Sequence, residues 1–214
     1  MNIDWSQIET VLLDMDGTLL DLHFDNHFWR DHMPQAFAQK HDVDLQEAYR
    51  RVNPLFEKWA GLLEWYCVDH WSECLDVDIM ALKREVADKI AYRPNAELFL
   101  DACNRESQDV RMITNGHRKV LDLKIERTGI DRYFRQMICS HELNYPKERQ
   151  EFWHCLNRHA PFDPTKTLFI DDSETVLESA AEYGIKFIYS IEKPDSQRCR
   201  ETASRFPMID RFPI

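Results

Sequence analysis

Short apolar runs alternate with helix-like patterns through much of the chain. Continuous runs of apolar and β-branched residues predict five buried strands, at 10–13, 110–114, 136–140, 167–170 and 185–191. Between the later strands, apolar positions three to four residues apart predict helices at 118–127, 147–159 and 174–183. Strands that alternate with single helices form parallel sheets through right-handed crossovers. The pattern therefore predicts an α/β fold with a Rossmann-like parallel sheet.

The segment from about 24 to 92 breaks this alternation. It contains no convincing strand pattern and predicts several helices rich in aromatic residues, interrupted by Pro34, Pro54 and Gly61. We therefore predict two units. Residues 1–20 and 93–214 form an α/β core domain, and residues 21–92 form a helical domain that is inserted after the first strand.

Composition limits the possible partners. The 214-residue chain has a formal net charge of -11, which argues against binding nucleic acid because phosphate backbones need clustered lysine and arginine. A small phosphorylated metabolite needs only a local cationic pocket.

The first residues lack the pattern of a signal peptide, and no apolar stretch approaches the roughly 20 residues of a membrane helix. The six cysteines form no C-x-x-C pair, so we expect reduced thiols, no membrane association and a cytoplasmic location.

Histidines and cysteines also raise the question of a zinc site. His23, His27 and His32 lie close in sequence, and Cys67 and Cys74 lie in the inserted segment. Their spacings match no common structural zinc pattern. We expect these histidines to be surface or half-buried residues.

Polar side chains follow four of the predicted strands, at the point where each strand ends or in the loop beyond it. Because the carboxyl ends of parallel strands meet at one edge of the sheet, we expect these side chains to converge. Taken singly, each group has a structural explanation, such as a turn or a helix N-cap. The combination favours a functional site. In chain order the groups are Asp14 and Asp16, Thr114 and Asn115, Lys147, and Asp171 and Asp172.

The chemistry of this set indicates phosphate and a divalent cation. Several carboxylates in one pocket repel one another, and Mg²⁺ relieves that repulsion while binding substrate phosphate. Lys147 adds a positive charge and Thr114 adds a hydroxyl donor. Such groups stabilise a phosphoryl group and its transition state.

The same residues carry a family resemblance. The sequence DMDGT at 14–18, followed in order by the motifs at 114–115, 147 and 171–172, resembles the four motifs of the haloacid dehalogenase-like (HAD) phosphohydrolases. The resemblance covers the whole α/β unit. It implies that the inserted helices are the type I cap of that family.

The resemblance also implies a mechanism. Asp14 would be the nucleophile that forms an aspartyl-phosphate, and Asp16 would be the general acid and base. Thr114 would hold a phosphoryl oxygen, and Lys147 would neutralise negative charge. Mg²⁺ would be held by Asp14, the Asp16 carbonyl and Asp172, with Asp171 behind it. The dehalogenases of the family lack an acid at the position of Asp16, so Asp16 favours phosphate ester hydrolysis.

Sequences outside the motifs are similar to the bacterial GMP/IMP nucleotidases of this superfamily. The similar stretches are LLDLHFDNHFW, EWYCVDHWSECLDVDI and YPKERQEFWH. They imply a purine nucleoside 5′-monophosphate as substrate. Thr114, Asn115 and Lys147 would bind its phosphate, while Phe24 and Asn26 would bind the nucleoside, with Asp25 as a further polar partner for the base.

Three alternatives remain open. The first is a phosphatase for another small ester, such as a sugar phosphate or phosphoglycolate. The second is a phosphomutase, which returns the phosphoryl group to its substrate. The third is a non-catalytic binding protein on a HAD scaffold. The complete set of acid, base, lysine and threonine argues against the third.

Overall fold

Six strands form one parallel sheet, which confirms the predicted α/β fold. The computed structural model describes residues 4–106, 109–200 and 202–212. The strands are β1 (Thr10–Leu13), β2 (Asp109–Thr114), β3 (Gln136–Cys139), β4 (Thr167–Ile170), β5 (Phe187–Ile191) and β6 (Met208–Ile209). Their order across the sheet is β3-β2-β1-β4-β5-β6, and every neighbouring pair is parallel.

Helices cover the sheet and form the inserted segment. In chain order the α-helices of the described residues are α1 (His23–His27), α2 (Met33–Lys40), α3 (Leu45–Trp59), α4 (Val68–Leu75), α5 (Ile79–Glu85), α6 (Ala96–Arg105), α7 (Arg118–Thr128), α8 (Ser140–Leu143), α9 (Gln150–His159) and α10 (Glu174–Tyr183). A π-helical turn at Phe28–His32 joins α1 to α2. None of the helices in the described ranges has both the length and the apolarity needed to cross a membrane.

The structure differs from the predicted elements at several points. α9 begins at Gln150 and not at Lys147, because the Lys147 backbone N–H donates to the Asn115 side chain at 2.9 Å instead of entering a helix. Ser140 begins α8 and does not end β3, and β5 begins at Phe187. β6 was not predicted, since one exposed and one buried residue leave no apolar run to detect.

The central position of β1 explains its apolar sequence. β1 lies between β2 and β4, and all four of its residues are buried. A strand that is buried on both faces of a parallel sheet needs apolar side chains throughout. The chain leaves the sheet at Asp14, whose backbone N–H still donates to the Ile170 carbonyl at 3.0 Å. The first acidic residue is therefore fixed at the carboxyl edge.

Three hydrophobic clusters organise the molecule. One includes residues of α6 and lies on one face of the sheet, and a second includes residues of α9 and α10 and lies on the other face. The third lies among the inserted helices and includes Phe28 and Trp71. Val120 and Leu123 of α7 belong to this third cluster. α7 therefore packs against the inserted helices next to the carboxyl edge of the sheet.

Candidate active site

The Lys147 ammonium joins two strand-end carboxylates at the carboxyl edge of the sheet. Its Nζ lies 2.6 Å from Asp14 Oδ1 and 2.7 Å from Asp171 Oδ2. It also donates to the Ile113 carbonyl at 3.3 Å. All three charged side chains are buried. Asp14 follows β1 and Asp171 follows β4, so the register of these paired strands brings both carboxylates together.

The loop after β2 holds this lysine in place. Asn115 Oδ1 accepts the hydrogen bond from the Lys147 backbone N–H at 2.9 Å. Thr114 Oγ1 accepts one from the Gly116 backbone N–H at 2.9 Å, which leaves the threonine hydroxyl proton available to a ligand. Thr114 and Asn115 line the same cavity as Asp14.

Burial couples the charges of this group. Burial raises the pKa of Asp14 to about 6, although Lys147 opposes the shift. Burial alone would lower the pKa of Lys147, but Asp14 and Asp171 together raise it above its ordinary value. At neutral pH the lysine is therefore charged and Asp14 is largely ionised.

A third carboxylate, Asp172, completes an acidic cluster with Asp14 and Asp171. One ligand oxygen from each lies within 4.8 Å of the others. Asp171 already has a partner for each oxygen, because Lys147 binds one and the Ser173 backbone N–H donates to the other at 2.9 Å. Burial, followed by repulsion from Asp171 and Asp14, raises the pKa of Asp172 well above its ordinary value.

This donor set fits a divalent cation that binds oxygen. When the three carboxylates are ionised, the single ammonium of Lys147 leaves two negative charges without compensation. Mg²⁺ is typically bound by one or two carboxylates, together with water and phosphate. The hydrogen bonds of Asp171 favour Asp14 and Asp172 as the carboxylates with oxygens to spare.

Gly17 makes room for the Asp172 carboxylate. Its φ of +80° lies in the left-handed region, and a Cβ at this position would lie 2.4 Å from Asp172 Oδ2. No other residue can adopt this backbone conformation and leave that space open. The Gly after the second aspartate thus serves the acidic cluster as well as the turn.

A second buried lysine, Lys124 of α7, binds Asp16. Its Nζ donates to Asp16 Oδ1 and, at 2.6 Å, to Asp25 Oδ2. The other Asp25 oxygen accepts from Lys83 Nζ at 2.8 Å. The result is a chain of alternating charges that runs from the inserted helices to the strand end. Lys83 also lies over the Phe28 ring, with its Nζ 4.3 Å from the centroid.

This charge chain sets the protonation of its carboxyls. Burial raises the pKa of Asp16 to about 6, and Lys124 opposes the shift. Burial also acts to raise the pKa of Asp25, but Lys124 and Lys83 outweigh it and lower the pKa. Asp25 is therefore an anion between two cations, while Asp16 can hold a proton near neutral pH. Asp25 lines the cavity, so its expected role at the purine edge stays a prediction, although each of its oxygens already accepts a hydrogen bond from a lysine.

Sequence reasoning missed both lysines of this chain, although a signal exists. Lys124 lies four residues after Val120 and three after Leu121, on the buried side of α7. Lys83 lies four residues after the buried Ile79. A lysine on an apolar helix face is unusual unless it is paired, so each position indicates a buried acidic partner.

One cavity of about 480 Å³ connects the acidic cluster with the inserted helices. Its volume lies within the range of roughly 300–1,000 Å³ that is usual for small-molecule sites. At one end lie Asp14, Asp16 and Lys147. The other end is lined by aromatic side chains: Trp29, Phe56, Trp65, Tyr66 and Trp71. Asp25, Arg30 and Lys83 of the inserted helices line the cavity as well. The cavity thus combines charged groups with a set of aromatic side chains.

Asn26 and Phe24, the two residues of the inserted helices that were expected to bind the substrate, have different positions. Asn26 lines the cavity, and its Nδ2 donates to Asp195 Oδ2 at 2.7 Å. Phe24 does not line the cavity and is 1% exposed. Its ring packs beneath Lys83 and Lys124. The expectation that Phe24 contacts the substrate is therefore wrong in this structure, because the ring belongs to the core that supports the two lysines.

Tyr66 connects the inserted helices to the loop that carries Lys147. Its hydroxyl donates to Glu148 Oε1 at 2.6 Å, and Asn115 Nδ2 donates to Glu148 Oε2 at 3.0 Å. Glu148 was not among the expected site residues. These bonds fix the distance between the aromatic end of the cavity and the lysine loop.

Comparison with known proteins decides the family. The family profile described as haloacid dehalogenase-like hydrolase matches residues 8–184. The chain belongs to the haloacid dehalogenase-like hydrolases. The match spans all the motifs from Asp14 to Asp172 and confirms the resemblance seen in the sequence.

Relatives and solved structures agree with this assignment. GMP/IMP nucleotidase YrfG of Escherichia coli is 37% identical over 212 residues, which cover 99% of this chain and 96% of that protein. A phosphorylated carbohydrates phosphatase of Thermotoga maritima is 21% identical over 188 residues, which cover 86% of this chain and 85% of that protein. The crystal structure of a HAD phosphatase from Thermococcus onnurineus superposes with a TM-score of 0.78 at 18% identity, covering 96% of this hydrolase and 94% of that chain.

Proposed function

We propose that this hydrolase is a Mg²⁺-dependent phosphatase for purine nucleoside 5′-monophosphates. One observation carries the proposal: a single cavity is lined both by the phosphate-binding set of the strand ends and by an aromatic wall, which we define as Trp29, Phe56, Trp65, Tyr66 and Trp71 of the inserted helices. A nucleotide has the same division into a dianionic end and a flat apolar end. The similarity to a GMP/IMP nucleotidase supports the purine class.

Asp14 is the proposed nucleophile. Lys147 binds its Oδ1, which leaves Oδ2 to attack phosphorus opposite the ester oxygen. A phosphorus–oxygen bond to Asp14 forms, and the bond to the nucleoside 5′ oxygen breaks. Thr114 and Lys147 hold the phosphoryl oxygens, as donors that stabilise developing charge do.

Asp16 is the proposed acid and base. Its raised pKa of about 6 keeps a fraction protonated near neutral pH, and this proton passes to the departing 5′ oxygen. A water molecule then attacks phosphorus while Asp16 takes its proton, so that phosphate leaves and the Asp14 carboxylate is restored. A halide leaving group needs no such acid, so Asp16 favours ester hydrolysis over dehalogenation.

Asp14, Asp172 and the Asp16 backbone carbonyl are the proposed Mg²⁺ ligands, with Asp171 behind them. The bound cation would offset the two uncompensated negative charges of the cluster and those of the phosphate. The donor chemistry of the three carboxylates supports this assignment, as does the general use of Mg²⁺ in the family.

The aromatic wall is the proposed purine subsite. Trp29 and Trp65 line the cavity, and their indoles offer flat faces that stack on a base. Asn26 and Arg30 line it as well and can bind polar groups of the nucleoside. Phe24 is left out because it is buried beneath the lysines.

Residues 21–92 are the proposed cap, and residues 1–20 and 93–214 the proposed core domain. The inserted helices have a hydrophobic cluster of their own. Leu20 and Tyr92, at the two points where the chain crosses between the units, form an antiparallel bridge. Two adjacent connections between the units, paired in this way, are the arrangement expected of a hinge.

A cytoplasmic location is proposed from the cysteines. All six are free thiols, which favours a reducing compartment.

Phosphate release measured over a substrate panel tests the function. The panel contains GMP, IMP, AMP, pyrimidine monophosphates, sugar phosphates and phosphoglycolate, each with Mg²⁺ and with EDTA. We expect the highest kcat/KM for GMP or IMP and no turnover in EDTA or for Asp14→Asn. Higher activity on sugar phosphates than on GMP and IMP would overturn the proposed purine substrate class and leave the proposed mechanism intact. Full activity of Asp14→Asn would overturn the mechanism itself.

A further inference from the structure

One thiol and two imidazoles meet beside the cavity, apart from the acidic cluster. Cys67 directly precedes α4, His117 directly precedes α7, and His141 lies in α8. One ligand atom from each lies within 4.8 Å of the others. The two imidazole rings are in edge-to-face contact, with centroids 4.9 Å apart. The spacing of Cys67 from its sequence neighbours predicts no zinc site, but folding brings it to two distant histidines.

The ligand atoms of this cluster have weak partners or none. Both ring nitrogens of His141 are buried and, among the described residues, make no hydrogen bond. The His117 Nδ1 accepts only a long bond of 3.4 Å from the Lys119 backbone N–H. The Cys67 sulfur accepts a 3.5 Å contact from the His70 backbone N–H. A buried polar group without a partner destabilises the fold, so this cluster gains from an added ligand.

The local environment suits metal binding. Burial, and to a lesser extent the neighbouring His117, lowers the pKa of His141 to about 4. Burial also lowers the pKa of His117. Both imidazoles are therefore neutral at physiological pH, the form that coordinates a metal. A cysteine thiol loses its proton when a metal binds.

We propose that Cys67, His117 and His141 form a second cation site, which binds Zn²⁺ or a similar borderline-soft transition metal. Thiolate and imidazole ligands suit Zn²⁺, whereas Mg²⁺ prefers oxygen. The carboxylates of the first site and this cluster therefore differ in metal preference. Three protein ligands leave a fourth tetrahedral position for water or a small anion.

The site would join the inserted helices to the α/β unit. Cys67 belongs to the inserted segment, whereas His117 and His141 follow β2 and β3. A cation bound to all three would tie these parts together. Because it binds only the folded chain, it would raise the midpoint of thermal unfolding. The proposal does not depend on the identity of the phosphate substrate.

Cobalt spectroscopy of the full chain tests the site directly. Co²⁺ is titrated in the presence of excess Mg²⁺, which occupies the carboxylate site. We expect a thiolate-to-cobalt charge-transfer band in the near ultraviolet, visible bands of tetrahedral intensity, one equivalent bound per chain, and displacement by Zn²⁺. Oxygen-only coordination gives no thiolate band, so the signal is specific to a cysteine ligand.

Variants assign the band to its ligands. Cys67→Ser should abolish the charge-transfer band and the thermal shift caused by Zn²⁺. His141→Asn should weaken binding by about tenfold or more, since one of three ligands is lost. Cys74→Ser is the matched control, because Cys74 is an exposed cysteine of α4 whose sulfur pairs, among the described residues, with the His70 ring nitrogens alone. This variant should leave the band unchanged.

Two results would overturn the proposal. One is the absence of a thiolate band in the wild-type protein at saturating Co²⁺. The other is a band that survives Cys67→Ser or disappears in Cys74→Ser, since it would then arise from another thiol. Circular dichroism of each variant, and its activity with Mg²⁺ alone, separate loss of the site from loss of the fold.

Discussion

The buried Lys124 of α7 and the half-buried Asp25 of α1 form an ion pair with an N–O distance of 2.6 Å. The same ammonium binds Asp16, so one cation holds both a carboxylate of the inserted helices and the proposed acid and base. The geometry of Asp16 thus depends on where the inserted helices lie. Lys83, on the far side of Asp25, extends this dependence to α5.

Lys124→Met should impair both stability and catalysis. The substitution leaves the half-buried Asp16 and Asp25 without their shared cation, although Asp25 keeps its bond to Lys83. Removing one partner of a fully buried ion pair costs about 3–5 kcal/mol, and that figure is the upper bound here. We expect a large loss of unfolding free energy in urea. We also expect a loss of kcat greater than any rise in KM, because Asp16 loses its position.

Lys119→Met provides the control for this variant. Lys119 lies on the same helix, but its partner Asp69 and its own side chain are both exposed. Exposed pairs contribute little, so kcat and the urea midpoint should stay close to wild type. Equal effects of the two substitutions would show that any charge on α7 matters, and would contradict a special role for Lys124.

Gly17→Ala should damage the acidic cluster more than it damages the fold. A Cβ at Gly17 would lie 2.4 Å from Asp172 Oδ2 and displace that carboxylate. We expect kcat to fall and the Mg²⁺ concentration for half-maximal activity to rise. Gly61→Ala is closely matched, since Gly61 has a φ of +77° but no atom of the described residues lies within 4 Å of the added Cβ. Both variants should lose about 1–2 kcal/mol to backbone strain, so activity alone distinguishes them.

Local pattern predicted the parts of the site that lie next to strands. Asp14 and Asp171 could be placed because each follows a continuous apolar run, and parallel strands end at one edge. The contacts of Lys124 with Asp16 and Asp25 could not be paired in this way, because Lys124 and Asp25 lie within helices and not at strand ends. Phe24 was misplaced for a related reason. An aromatic residue near a motif can face either the ligand or the core. In the folded chain Phe24 faces the core, where its ring packs against Lys83 and Lys124.

The stabilising effect of Mg²⁺ should depend on pH. The folded pKa of Asp14, about 6, lies above its ordinary value of 3.8, and that of Asp172 is also raised. The metal-free folded protein therefore holds protons that the unfolded chain releases. This contribution to stability is complete below a pH of about 3.8 and is lost as the pH rises through about 6.

A bound cation replaces the lost protons, so Mg²⁺ should raise the unfolding midpoint clearly at about pH 7.5 and little at about pH 5. Thermal melts with and without Mg²⁺ at both pH values check this. Without metal at neutral pH, the Asp172→Asn variant should be more stable than wild type. Mg²⁺ should raise its unfolding midpoint by much less than it raises that of wild type. Asp101→Asn, at an exposed position of α6, should behave as wild type. A Mg²⁺ shift of equal size at both pH values would contradict the argument.

The aromatic wall should contribute to the binding of the base and not to phosphoryl transfer. Trp65 lines the cavity and packs edge-to-face on Phe56 and Trp71, with ring centroids 5.6 and 5.9 Å apart. Stacking of a base on an aromatic side chain is worth about 1–3 kcal/mol. Trp65→Ala should therefore raise KM for GMP or IMP by a factor of roughly 5 to 150, which corresponds to that free energy. The kcat/KM for a small ester such as phosphoglycolate should stay near wild type. Trp59→Ala is the control, because Trp59 packs on His70 and does not line the cavity. If Trp65→Ala impaired both substrates equally, the residue would support the fold of the inserted helices and would not contact the base.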